Sequence, residues 1–277
     1  MDNYLKNLCI IILLAILFIS PHQDFLFAES LSDEDKLNKE FLINFKNDFA
    51  EVLVSPASWK GKDFFNLSAV LAAGFLLYAV DQDIHQWLQE NRSSSSDDIF
   101  KFITHFGDGG VLAGLIAALY VSGELSHNNS LRKTALLSLE SWLTTGVIVS
   151  SLKFVIGRAR PETGESSHTF HPFSLKSSFY SFPSGHASSA FAVATTIACQ
   201  SNKTYVDIIA YSLATLVAIS RVHNNKHWAS DVLVGSSLGY FTAKKISALD
   251  RKRDSGKVML GFQLSHERQA FSLTVVF

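Results

Sequence analysis

Six apolar stretches, at residues 64–80, 111–121, 131–160, 187–199, 206–219 and 232–243, are separated by short polar connections. Each covers three or more helical turns, and short links between such segments favour neighbouring helices packed side by side. The expected fold is therefore all-α, a six-helix bundle core within one domain. The tail differs. Residues 257–264 and 269–277 alternate in character around a polar turn and read as a short C-terminal β-hairpin.

The apolar runs raise the question of a membrane. Hydrophobic residues make up 47% of the 277 and charged residues 18%, between the values of a soluble domain and a polytopic membrane protein. Several runs look only about 10 to 14 residues long, short for a span. Glu140 and several serines and threonines interrupt them. The expectation is an exported helical protein with buried core helices, periplasmic or resting on a membrane surface, with an integral membrane protein as the alternative. Residues 1–28 fit an export signal or anchor, with Lys6 ahead of an apolar run at 8–19. Residues 29–62 follow as a polar amphipathic segment, 63–249 as the helical domain and 250–277 as the hairpin. A net charge of −1 gives no reason to expect nucleic acid as a partner. The two cysteines, Cys9 and Cys199, do not suggest a disulfide framework, and no zinc-type cluster is present.

Three polar islands carry the chemistry. In KFVIGRARP, Lys153 and Arg160 lie seven apart, about two helical turns, which places both on one helix face. Two cations there also suit the negative end of a helix dipole. In PSGH, Ser184 suits an N-cap, Gly185 permits close approach to the backbone, and His186 falls in the first turn of the next helix. An ordinary turn with a surface histidine has the same letters. In SRVHNNKHWASD, His227 and Asp231 are four apart, so a carboxylate on the same face accepts from Nδ1–H and leaves Nε2 free as a nucleophile. Arg221 lies six residues before His227. Elsewhere, Ser93 to Ser96 read as a turn before a helix from Asp97. His105 and Asp108 sit in a glycine-rich loop that either ends a helix or flanks a pocket.

In this order and spacing the islands resemble the three-part signature of the type-2 phosphatidic acid phosphatase superfamily, which includes lipid phosphatases, non-specific acid phosphatases and vanadium haloperoxidases. The resemblance covers about residues 64–246. It implies that His227 attacks phosphorus to form a phosphohistidine, that Asp231 orients it, and that His186 protonates the leaving oxygen and then activates water. It further implies that Lys153, Arg160, Arg221, Ser184 and the Gly185 amide bind the phosphoryl oxygens. No metal or cofactor is expected. The implied activity is hydrolysis of phosphate monoesters or diphosphates, with a phosphorylated lipid as the expected partner. A periplasmic acid phosphatase acting on soluble esters and a vanadium haloperoxidase are the alternatives. The aromatic loop at 162–182 either grips a leaving group or covers the core.

Overall fold

The computed structural model describes residues 35–255 and two strands beyond them. The expected export segment at 1–28, with Cys9, lies outside the described residues. Eight α-helices are found among those described, where six were expected: α1 (Lys39–Val54), α2 (Gly61–Glu90), α3 (Ser94–Ile103), α4 (Gly109–Leu125), α5 (Asn129–Ile156), α6 (Gly185–Gln200), α7 (Thr204–His223) and α8 (Ala229–Ser255). The count exceeds six because α1 forms ahead of the bundle, and because a short α3 precedes α4 across a one-turn 3₁₀ segment, Thr104–Gly107. After α8, β1 (Val258–Ser265) and β2 (Arg268–Val275) pair antiparallel, Val258 opposite Val275.

Local chemistry sets the helix ends. The Asn38 side chain accepts from Phe41 N–H at the start of α1. Ser93 and Ser96 form a capping box, so α3 begins at Ser94 rather than at Asp97. Asp108 caps α4 by accepting from Gly110 N–H at 2.8 Å. Asn128 caps α5. That helix stops at Ile156, short of the expected Arg160, because Gly157 adopts the left-handed conformation (φ 62°) that closes a helix. A Cβ on Gly157 would lie 1.9 Å from the His171 carbonyl oxygen.

Helix α6 is the central strut and packs on α5, α7 and α8. Its inward face is built of small residues, with Ala187, Ser188, Ala190, Ala192 and Ala194 all buried. Gly235 and Gly239 of α8, four apart, let the α8 backbone press against it. A Cβ on Gly239 would lie 2.2 Å from Ser188 O. This is the small-residue contact that membrane helices use in place of a hydrophobic driving force. On the other side of α6, Leu112, Ile116, Leu119, Ala135 and Val193 form an apolar cluster between α4, α5 and α6. Helix α1 is tied to the end of α8, where Arg253 donates to both Asp48 oxygens at 2.7 and 2.6 Å and Lys245 donates to Glu51 at 3.0 Å.

The helices are longer than the short core runs expected, and much of their apolar surface is exposed. Among the described residues, α2, α5 and α7 are each long and apolar enough to cross a membrane, and the bent pair formed by α3 and α4 makes up to four. Helix α2, about 45 Å long at 1.5 Å per residue, exposes Phe64, Phe65, Leu71, Phe75 and Leu76 at 53–73%. Contiguous apolar surface of that extent is unfavourable in water and suits lipid. The interrupting polar residues face inward: Glu140, Ser138, Ser141, Thr144, Thr145, Thr195 and Thr196 are at most 1% exposed. Thr196 donates to Ser141 at 3.1 Å, and Trp142 donates to Ser189 at 3.1 Å. Such bonds join helices in an apolar surround.

Candidate active site

All three islands meet at one end of the bundle. Helices α2, α5 and α7 bring their C-terminal ends there, and α4, α6 and α8 their N-terminal ends. Lys153 lies in the last turn of α5 and donates from Nζ to the Tyr180 carbonyl at 2.5 Å. Its Cε is 3.7 Å from the position of a Cβ on Gly185, so the ammonium stem lies against the start of α6. Arg160 is not on the same helix face as Lys153, as expected, but on the extended segment past Gly157. That segment is held by the returning loop: Arg160 N–H donates to Ser178 O at 2.9 Å, and Ser181 N–H donates to Arg158 O at 3.0 Å.

Ser184 is the N-cap of α6, with Gly185 and His186 the first helical residues, as expected. Its hydroxyl accepts from Ala187 N–H at 3.5 Å, and its own N–H donates to Asp231 O at 3.0 Å. The first-turn N–H groups, including that of Gly185, are those a helix leaves without internal partners. Arg221, in the last turn of α7, donates from Nη1 to Thr104 Oγ1 at 2.6 Å. Its carbonyl accepts from Lys226 and His227 N–H at 3.1 and 3.3 Å, a tight turn that returns His227 beside Arg221. The Nε atoms of Arg160 and Arg221 are buried without a hydrogen-bond partner. An unpaired buried guanidinium N–H is costly, and an anion between the two arginines would satisfy both.

His227 is 2% exposed and precedes α8 rather than standing on it. The expected Nδ1–H bond to Asp231 is not made: the separation is 3.9 Å. Nδ1 instead lies 2.6 Å from the Ser181 carbonyl, which makes Nδ1 the protonated nitrogen and leaves Nε2 with its lone pair. Asp231 works one step back. It accepts from Ser181 Oγ at 2.6 Å, from Trp228 N–H at 2.9 Å and from Arg158 Nη1 at 2.5 Å. The reason is positional. As the third residue of α8, Asp231 reaches back to the amide at the helix start, which turns its carboxylate away from the ring.

Arg158, Asp81, Ser181 and Thr104 were missed in the sequence. Arg158 is 1% exposed and joins four elements. It donates to Ser167 O at 2.9 Å, to Ser230 Oγ at 2.8 Å, to Asp231 and, at 2.8 Å, to Asp81 of α2. Tyr78 and Trp228 cover its guanidinium at 4.9 and 5.6 Å from their ring centroids. The loop aromatics His168 and Phe170 pack on Tyr78, so that part of the loop covers the Arg158 network. One signal was available: Asp81 directly after the apolar run 64–80 and a cation just past a helix-closing glycine are two charges that can pair if buried. The Thr104–Gly107 turn packs on His186; a Cβ on Gly107 would lie 3.0 Å from His186 Cβ. His105 is exposed.

The site is strongly cationic. Burial, then the Arg221 charge, lowers the His186 pKa to about 4, with Asp108 opposing and Arg160 and Lys153 adding to the shift. Burial, then Lys153, Arg221 and Arg160, holds His227 well below the usual histidine range. The same three cations therefore act on both imidazoles. Burial pushes the Asp231 carboxyl up, against Arg158, Ser181 and the Trp228 amide. Together these groups place a neutral imidazole with its Nε2 lone pair free, a second imidazole, and guanidinium and ammonium groups able to hold an oxyanion.

Residues 134–254 match the PAP2 superfamily. Phosphatidylglycerophosphatase B of Bacillus subtilis is 33% identical over 70% of this chain and 96% of its own length. A lipid A 1-phosphatase of Rhizobium etli is 28% identical over 66% of this chain and 82% of its own length. A lipid A 1-phosphatase of Porphyromonas gingivalis is 29% identical over 61% of this chain, which spans only 35% of that longer protein. In structure, the transmembrane PAP2-type phosphatidylglycerolphosphate phosphatase from Bacillus subtilis superposes with a TM-score of 0.55 at 28% identity, covering 67% of this chain and 96% of that one. Fold and relatives together define a helical phosphoric ester hydrolase with membrane-span helices. The chain belongs to the PAP2 superfamily.

Proposed function

We propose that this chain is a lipid phosphatase that cleaves a phosphate monoester or diphosphate through a phosphohistidine. Nε2 of His227 attacks phosphorus as the P–O bond to the leaving group breaks. His186, protonated, gives its proton to the departing oxygen. Water then attacks the phosphohistidine, His186 takes up its proton, the P–N bond breaks, and phosphate leaves with His227 restored. Lys153, Arg160, Arg221 and the Gly185 amide neutralise the non-bridging oxygens. Asp231 is a positioning residue that acts through Ser181. The observation that carries the reading is the lock on His227: its Nδ1–H is committed to the Ser181 carbonyl beneath three cations, and two of those retain a buried, unpartnered Nε.

A lipid substrate is favoured over a soluble ester because the site crowns helices that expose Phe65, Phe75 and Leu76. The named relatives act on lipid A and phosphatidylglycerophosphate. The end of the bundle away from the site carries Lys60, Lys62, Arg132, Lys133, Lys203, Lys244, Lys245, Arg251, Lys252 and Arg253. Positively charged flanks favour the cytoplasm, which supports a site that faces outward.

The test is phosphate release from phosphatidic acid in mixed micelles. His227→Ala abolishes turnover without loss of folded protein. His186→Ala spares a nitrophenyl phosphate, whose leaving group needs little protonation, more than an alkyl ester. Wild-type rates in His227→Ala would overturn the assignment of the nucleophile, and equal losses on both esters would overturn that of the acid.

A further inference from the structure

Beside the phosphoryl cradle lies a second cavity of about 490 Å³, within the range of small-ligand sites. Arg221 belongs to both. It holds one wall, and the rest of the lining comes from the link between α2 and α3, from α3, the 3₁₀ turn and the turn after α7. Four cations, Arg92, Lys101, Arg221 and Lys226, face two carboxylates, Asp97 and Asp98. Two of the four are engaged in ion pairs, and Arg221 donates from Nη1 to Thr104. Arg92 donates to Asp97 at 2.8 Å and to Gln89 at 2.9 Å, and Lys226 pairs with Glu162. Lys101 has no ion pair or hydrogen bond among the described residues. Arg221 keeps its buried Nε without a partner.

Helix α3 is fixed over this space. His223 Nε2 lies 3.1 Å from Ser96 Oγ, its ring centroid is 4.4 Å from that of Phe100, and Asn224 donates to Phe100 O at 3.2 Å. The wall is thus built before any ligand arrives. A cavity that shares Arg221 with the phosphoryl cradle is placed to receive what a phosphate in that cradle is attached to. Its excess of cations selects an anion, and its carboxylates accept from hydroxyl groups.

We propose that this cavity is the leaving-group subsite, and that Lys101 is a specificity residue favouring lipids whose leaving group carries a second anionic phosphate. The inference rests on the phosphatase reading above and adds the substrate class. Two chemistries share this feature: a polyol joined to the lipid through a phosphodiester, and a lipid diphosphate.

The experiment compares the full chain with Lys101→Gln and Lys101→Arg on three lipids in mixed micelles: phosphatidylglycerophosphate, diacylglycerol diphosphate and phosphatidic acid. For Lys101→Gln, the ratio of kcat/KM on the phosphodiester or the diphosphate lipid to that on phosphatidic acid falls about tenfold, the size of one partly screened charge contact. The loss lies in KM, and Lys101→Arg restores the ratio. Whichever of the two bis-anionic lipids shows the drop identifies the chemistry. Asp98→Asn moves the ratio the other way. A parallel loss on all three lipids, or an unchanged ratio, would overturn the assignment. A wild-type chain that releases phosphate from none of the three would instead sink the phosphatase reading, and this inference with it.

Discussion

Replacing Arg158 by Met tests whether one buried cation holds the His227 imidazole through two intermediaries. In the native chain its guanidinium compensates Asp81 and Asp231, both 0% exposed, and spans from α2 to α8. Methionine fills much of the same volume beside Tyr78 and Trp228 but leaves two buried carboxylates without their counter-charge. Removing one partner of a buried ion pair costs about 3–5 kcal/mol. Whole domains are stable by only about 5–15 kcal/mol, so the variant loses a large share of its stability. The double variant Arg158→Met with Asp81→Asn separates the causes. Residue 81 then carries no charge, and its oxygen still accepts from Ser230 N–H, a bond of 2.9 Å in the native chain. About 2 kcal/mol should return, roughly half the loss. Activity should not return with it, because Asp231 still lacks the donor that steadies Ser181 and hence His227. The assay is thermal unfolding of detergent-purified protein alongside phosphate release. Wild-type unfolding of the single variant, or a double variant no more stable than the single, would refute the reasoning.

Two further outcomes follow from the site. His186 starts near pKa 4, and a bound phosphate dianion favours the imidazolium, so substrate raises that pKa. Since the acid works when protonated, the alkaline limb of kcat lies at higher pH than that of kcat/KM, by about one unit or more; coincident limbs would remove His186 from the acid role. Gly235→Ala puts a Cβ 2.5 Å from the Ser184 carbonyl oxygen, a backbone atom that yields only if α8 moves off the start of α6. It costs about 1–3 kcal/mol and most of the activity, whereas Gly146→Ala in α5, whose Cβ meets nothing within 4 Å, leaves both near native in the same unfolding and release assays.

What was legible in the sequence, and what was not, follows from how each residue is used. Lys153, Arg160, Ser184, Gly185, His186, Arg221, His227 and Asp231 stood out because, in this order and spacing, they resemble one three-part signature, and all of them gather at one end of the bundle. Their pairwise contacts were not legible. A four-residue spacing implies a shared helix face only inside a helix, and α8 begins two residues after His227, so Asp231 turned to the helix start and to Ser181. Arg158 was passed over for the same kind of reason: its partners lie 77 and 73 residues away, and no local pattern joins them. The membrane character was misread at Glu140 and the helix serines and threonines, which seemed to break each run into pieces too short to span. In water a polar residue in a helix faces out and marks the surface. In lipid the rule inverts, because hydrocarbon offers no partner for a hydroxyl or a carboxyl. Glu140, 1% exposed, therefore lies inside the bundle, and Phe75, 71% exposed, takes the outside. Run length alone does not separate the two cases. What separates them is the direction in which the interruptions point, and that becomes visible only once the helices are packed.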